Sequence, residues 1–291
     1  MNRRFLGTFL VVVLLIAGCN RGGDGSEASP DPSIPASPQL GDDLEPEGSG
    51  EEPGTAAPST PKAGPQPTKG APRQKGSLVP PAAGAYFTDN SGSETLNCGT
   101  PQKTDPPKLT EIRVDPANGS RQRSVADARR ADGTGSVSTT ILEYRPDGVY
   151  LIYLKLEQTV PFLGTNVTEF EPSKPPLVAP NQPKQGEKWS FTMTSKDGDV
   201  TVTSNNSIEA TSEAVSLGDG SKVTTSRAKA TTRVTGTTNF GNMDITTVST
   251  TWASPAHRLV VKDISDTSGT FSTCTVDAHV ESILRTTKPS S

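Results

Sequence analysis

The chain has 291 residues with 28 basic and 32 acidic side chains, a formal net charge of −4, and so carries no basic excess that would mark a nucleic-acid binder. Aromatic residues make up only 5% of it, while Pro and Gly number 26 and 27. The composition changes near position 84, which excludes one uniform globular unit and requires the segments to be read separately.

The first 19 residues carry Arg3 and Arg4, an apolar run from Phe5 to Gly18 (FLGTFLVVVLLIAG), and then Cys19. A basic start, a short apolar stretch and a small-residue exit form the pattern of a secretory signal, here residues 1–18. The 14-residue run would cover about 21 Å as a helix, short of a hydrocarbon core roughly 30 Å thick. The end of the run, Leu15-Ile16-Ala17-Gly18-Cys19, resembles the lipobox of bacterial lipoproteins. That resemblance implies cleavage before Cys19, a diacylglyceryl group on its thiol, and attachment to the extracytoplasmic side of a bacterial cell membrane. Buried acyl chains contribute about 0.8 kcal/mol per CH₂, and two such chains suffice for stable anchoring.

The next stretch, residues 20–84, holds 13 Pro and 11 Gly among 65 positions and no Phe, Tyr or Trp. It cannot bury enough apolar surface to offset its ordering entropy, so a disordered linker is expected from Cys19 to position 84. Nine acids and one base lie between Asn20 and Gly54, followed by four bases (Lys62, Lys69, Arg73, Lys75) and no acid up to Gly84. These bases are too dilute for a polybasic lipid-binding segment, and a solvated tether fits them better. As a flexible coil it would span about 40 to 50 Å. Ser59 and Lys62 match an S-x-x-K spacing, but a linker holds no oxyanion hole for it.

Residues 85–291 form the expected exported domain, nearly neutral with 21 bases and 23 acids. Strand-favouring Thr, Val, Ile and Ser dominate, and Ser plus Thr make 38 of the 102 residues from Ser190 to Ser291. Asp-Gly pairs at Asp132, Asp147, Asp197 and Asp219 mark hairpin turns. VSTTILEY (137–144), RPDG and VYLIYLKLE (149–157) predict a hairpin. In its second strand Tyr150, Ile152, Leu154 and Leu156 alternate with Val149, Leu151 and Tyr153. A strand apolar on both faces is normally covered on both, which points to a sheet that is curved, stacked or backed. Further strands are predicted at 166–171, 188–195, 199–208, 222–236, 243–252, 258–264 and 270–284. The segment 121–130 (RQRSVADARR) is read as a short helix or an exposed loop. The expected class is all-β, a mostly antiparallel meander forming a curved sheet or barrel-like roll.

Cys98 and Cys274 remain after Cys19, and an even pair in an exported chain predicts a disulfide clipping the domain's first segment to its last strand. Without CxxC or Cys/His clusters, redox and metal roles lack support. The two histidines, His257 in a turn and His279 in a strand, stand in no metal spacing and beside no nucleophile motif. No serine lies in a GxSxG elbow, and no catalytic residue, metal ligand or cofactor is assigned. Asp197-Gly198-Asp199 lacks the further oxygen ligands and distant Glu of a calcium loop and reads as a turn. Glycosylation triplets at Asn118, Asn166 and Asn205 carry little weight if the lipobox places the chain in a bacterium. Phe162, Leu163, Phe170, Trp189, Phe191, Met193, Phe240, Met243 and Trp252 are core residues by default, with a greasy cavity as the alternative.

The segments 175–191, 213–230 and 250–263 look like a pattern of uncharacterised exported bacterial proteins, with a proline-framed G-x-x-W strand and a W-x-S-P turn. In outline the domain is similar to lipoprotein carriers of the LolA and LppX type, which hold lipid on the concave face of a curved sheet. These similarities concern the fold alone; the doubly apolar strand and the cluster of large apolar residues point to a non-enzymatic envelope lipoprotein that binds an apolar or amphiphilic ligand, at residues the sequence leaves unassigned. The alternative is a structural or interaction module of the cell envelope.

Overall fold

The computed structural model describes residues 78–160, 164–239 and 241–290, and within them the chain is all-β. Fourteen strands follow one another: β1 (Gly84–Asn97), β2 (Pro101–Thr104), β3 (Leu109–Val114), β4 (Arg121–Arg129), β5 (Gly135–Arg145), β6 (Gly148–Val160) and β7 (Gly164–Phe170), then β8 (Leu177–Pro180), β9 (Lys188–Thr194), β10 (Val200–Ser216), β11 (Lys222–Thr238), β12 (Gly241–Ser254), β13 (Leu259–Phe271) and β14 (Cys274–Leu284).

The four Asp-Gly pairs sit at the β4–β5, β5–β6, β9–β10 and β10–β11 turns. At three of them the aspartate accepts the backbone N–H two residues on, from Thr134, Asp199 and Ser221. Gly133, Gly198 and Gly220 there take φ between +81 and +87°, a region closed to most side chains.

Pairing is antiparallel throughout, in the order β7-β6-β5-β4-β3-β1-β14-β13-β12-β11-β10-β9, with β2 added on β1 and β8 on β6. Two meanders are therefore joined where β1 pairs with β14, so the first and last strands are neighbours. The sheet is nearly closed into a barrel. At the seam Lys196 donates its backbone N–H to Glu169 at 2.7 Å. Phe170 and the inner side chains of β5, β6 and β8 share one apolar cluster with Phe191, Met193, Val200 and Val202. Side chains, rather than a ladder of backbone bonds, seal this gap.

The predicted disulfide is formed, joining Cys98 to Cys274 across 176 residues of sequence. It continues the β1–β14 register, one step beyond Asn97 opposite Thr275. The other end of that strand pair is held by the Asp89–Arg285 ion pair and by the bridge between Ala85 and Ser290.

Several expectations are corrected. The segment 121–130 is strand β4, because its alternating Gln122, Ser124 and Ala126 pair with Leu142, Thr140 and Ser138 of β5, and this pairing overrides local helical preference. The gap left between 258–264 and 270–284 does not exist: β13 runs unbroken through Ser265–Gly269, and the turn falls at Ser272, where φ is 55°. The doubly apolar strand has a local cause. The β5–β6 register moves from Ile141 opposite Tyr153 to Leu142 opposite Leu151, so Ile152 is the extra residue of a bulge. The bulge reverses the alternation, and Val149, Leu151, Leu154 and Leu156 all enter the same core. The expected linker reached position 84, but Leu78 is buried in that core, and Pro81 and Ala82 accept hydrogen bonds from Gln122 and Tyr86.

The outer face carries ion pairs along the strands, among them Arg233–Asp244, Lys262–Glu281 and Arg227–Glu213. Such a face suits water, the inverse of a barrel that turns an apolar band to lipid.

Candidate functional site

Alternation along β9 to β14 and β1 sorts the inner-face side chains into rows that run across the strands. One outer row is apolar, with Met193, Val202, Val234, Ile245 and Val276 leading to Leu96. At the opposite end Tyr86, Ile112, Leu259, Val261 and Leu284 form a second apolar cluster, and Leu217 packs into it. Leu217 reaches that cluster because the tip of the β10–β11 hairpin is bound to the end of β14 and the residue after it: Gly218 and Asp219 donate backbone N–H groups to the carbonyls of Leu284 and Arg285.

Between these apolar ends the rows become small and polar. Asn206, Ala230, Ser249 and Ser265 lie side by side, with Trp189 at one end and Gly92 beyond Val280 at the other. The flanking rows contribute Ser204, Thr232, Thr247 and Thr267 on one side, and Ala228, Thr251, Asp263 and Ser282 on the other. Hydroxyl pairs tie the belt together, Thr247 to Thr267 at 2.9 Å and Ser204 to Thr232 at 3.0 Å. Across the barrel Ser124, Ala126, Ser138 and Thr140 keep the inner face of β4 and β5 equally small.

An eight-stranded barrel is about the size that side chains can fill, and this sheet path has twelve strands. On the inner face Ala228, Ala230, Ser249, Thr251 and Ser282 stay partly accessible in mid-strand, whereas Ser204, Asn206, Asp263, Ser265 and Thr267 beside them are buried. A separate cavity of about 30 Å³, bordered by Tyr86, Gln122, Tyr144 and Arg258, is water-sized and too small for a ligand.

Two carboxylates stand on the belt. Asp263, 4% exposed, accepts a hydrogen bond from Thr251 at 2.6 Å, and burial raises its pKa to about 6 against the weaker opposing pull of that hydroxyl. Glu94, 5% exposed, meets Arg130 at 2.8 Å, yet burial outweighs the guanidinium and raises its pKa to about 7. At the β9 edge of the belt two N–H groups are buried without an acceptor, Trp189 Nε1 and Asn206 Nδ2.

The fate of the sequence candidates is mixed. Phe170, Phe191 and Met193 are core, Met243 packs against that core, and Trp252 packs on the second cluster while donating to Glu213 at 2.8 Å. Among the described residues of that group, Trp189 alone stands on the polar belt. Phe162, Leu163, Phe240, Ser59 and the lipidation candidate Cys19 lie outside the described residues. His279 is paired with exposed Asp266 at 2.7 Å on the outer face, and His257 is in an exposed turn. Asn206 and Asp263 were missed as site residues; their only signal was a polar residue at an inward position of an otherwise alternating strand. Among the described residues no cluster of three or more His, Cys, Asp or Glu could hold a metal. No family model, curated protein or solved structure matches the chain.

Proposed function

We propose that the chain is an envelope lipoprotein, held to the membrane by lipid on Cys19, whose barrel binds an amphiphilic ligand in its interior. The observation that carries the binding role is the layered inner face, a mid-strand belt of Ser, Thr, Ala and Asn between two apolar clusters. Apolar ends with a polar middle match a molecule that is itself part apolar and part polar. The sorted, proline-rich stretch after Cys19 supports a role at a distance from the membrane surface.

Two measurements test this reading. Native mass spectrometry of the full mature protein, purified from its own envelope, is expected to show a species several hundred daltons heavier than the lipidated chain; the apo mass alone in every preparation overturns the binding role. Labelled palmitate is expected to enter the wild-type chain and not Cys19→Ser, and equal incorporation overturns the anchor.

A further inference from the structure

The β10–β11 hairpin outgrows the sheet that carries it. Among the described residues β9 pairs with β10 no further than Ser207, and β12 pairs with β11 only from Ser226 onward. Residues 209–225 therefore form a two-stranded ribbon, laddered through Glu213 opposite Thr225 to Ser216 opposite Lys222. A two-stranded hairpin by itself is marginally stable in water, so the position of this one depends on what holds its far end.

Two features set its course. At its base β10 has one extra residue at Glu209 and another within Thr211–Ser212, two bulges in quick succession. Extra residues on one strand of a pair bend it, and Arg227 braces the bend through Glu209 at 3.1 Å and Glu213 at 2.9 Å. At its tip Gly218 and Asp219 donate backbone N–H groups to the carbonyls of Leu284 and Arg285 at 3.0 and 2.9 Å. Strands β12 and β13 separate β11 from β14 in the sheet, so the ribbon reaches these acceptors by crossing the end of that strand pair.

The ribbon packs on the second apolar cluster. Leu217, 5% exposed, is buried with Tyr86, Ile112, Leu259, Val261 and Leu284, and Val215 and Val223 pack against the same cluster. The latch at the tip is two main-chain hydrogen bonds and one leucine, far less than the ladders that join β11 to β12 and β12 to β13. An element held by so few bonds opens at a lower free energy than the body it covers. Gly218 makes the latch possible, because a Cβ there would lie 3.1 Å from Arg285 Cα, and Arg285 is itself held by Asp89 at 2.7 Å.

We infer that residues 209–225 form a hinged strap over this end of the barrel, which swings on the two bulges and bares the second apolar cluster when the Leu217–Asp219 tip lets go. The strap is a motion of the chain itself and stands whether or not the barrel binds a ligand.

The test is hydrogen–deuterium exchange of the full mature protein, read by mass spectrometry. The slow, hydrogen-bonded amides of residues 213–225 are expected to exchange at least about tenfold faster than those of the 137–157 hairpin. Gly218→Val crowds Arg285 and leaves the ribbon ladder alone; it is expected to speed 213–225 by a further factor of about ten and to leave 137–157 at its wild-type rate. One common rate for the two segments in the wild type overturns the inference, because the ribbon then opens only with the whole barrel. A Gly218→Val rate that equals wild type, or that rises equally in both segments, overturns it as well. If Gly218→Val does not fold, Leu217→Ala takes its place with the same expected and overturning results.

Discussion

Two sectors of one sheet handle their inner faces in opposite ways. Across β5 to β7 the face is filled with Leu142, Tyr144, Leu151, Leu154 and Phe170, all buried in one cluster that reaches over to β9 and β10. Across β11 to β13 the mid-strand positions are Ala228, Ala230, Thr247, Ser249, Ser265 and Thr267. The first sector buries large apolar side chains, and the second carries small polar ones, some buried and some partly accessible. Large apolar and small polar inner positions are thus assigned to different parts of the same hydrogen-bonded surface.

The largest effect should come from emptying the filled sector. Phe170 is fully buried, so Phe170→Ala is expected to cost about 3–5 kcal/mol in urea unfolding. Ser265→Ala, equally buried on the belt, should cost less than about 1 kcal/mol, because its hydroxyl makes only a long 3.5 Å bond to the Val280 carbonyl. Similar costs for the two substitutions would show that the sectors are not distinct.

The buried carboxylates come next. Burial raises Glu94 from 4.5 to about 7 and Asp263 from 3.8 to about 6, so the folded state holds both protons more tightly than the unfolded chain. Their contribution is full below the unfolded values and is lost as pH rises through about 6 and then about 7. Stability should therefore fall between about pH 4 and pH 7 by something on the order of 3 kcal/mol for each group. The exposed aspartates held low by arginines, such as Asp89 and Asp244, act in the opposite sense and mainly below 3.8. Glu94→Gln and Asp263→Asn should each flatten part of the slope measured by denaturant unfolding across pH, and an unaltered slope in the double variant would place its origin elsewhere.

Removing the disulfide should have a smaller consequence than its long loop suggests. The entropy model allows about 5 kcal/mol for so long a closure, but residual structure in the unfolded chain lowers the realised value below that ceiling. Cys98→Ser with Cys274→Ser is expected to lower stability by about 2 kcal/mol, read as a shift in thermal midpoint, with the inner face unaltered. Loss of bound ligand without loss of fold in that variant would mean that the clip shapes the belt. The smallest effect belongs to the outer face, where Arg233→Ala should leave the urea midpoint close to wild type despite a close contact with Asp244, because solvent screens so exposed a pair.

Much of the fold was legible locally. The Asp-Gly turns and the 137–157 hairpin follow from residues within a few positions of one another, and antiparallel neighbours inherit their order from such turns. The β6 bulge at Ile152 was not legible, because its cause is a register shift against β5 that leaves the composition of β6 unchanged. Strand β4 was misread because its Arg and Ala content favours helix slightly, by less than the pairing energy of two neighbouring strands outweighs. At the site, Trp189 stood among the apolar candidates and turned out to be the one beside polar neighbours.

By itself the sequence determined an all-β chain, its main hairpins, and a cysteine pair suited to joining the start of the domain to its end. Those features depend on alternation, turn stereochemistry and cysteine count, which are local or compositional. Only the tertiary structure decided which threonines and serines face inward, that β1 closes against β14, and that Asn206, Trp189 and Asp263 share one belt. In a strand of period two, the side facing the core is fixed by register against distant partners, and one residue of slip would turn the whole belt outward.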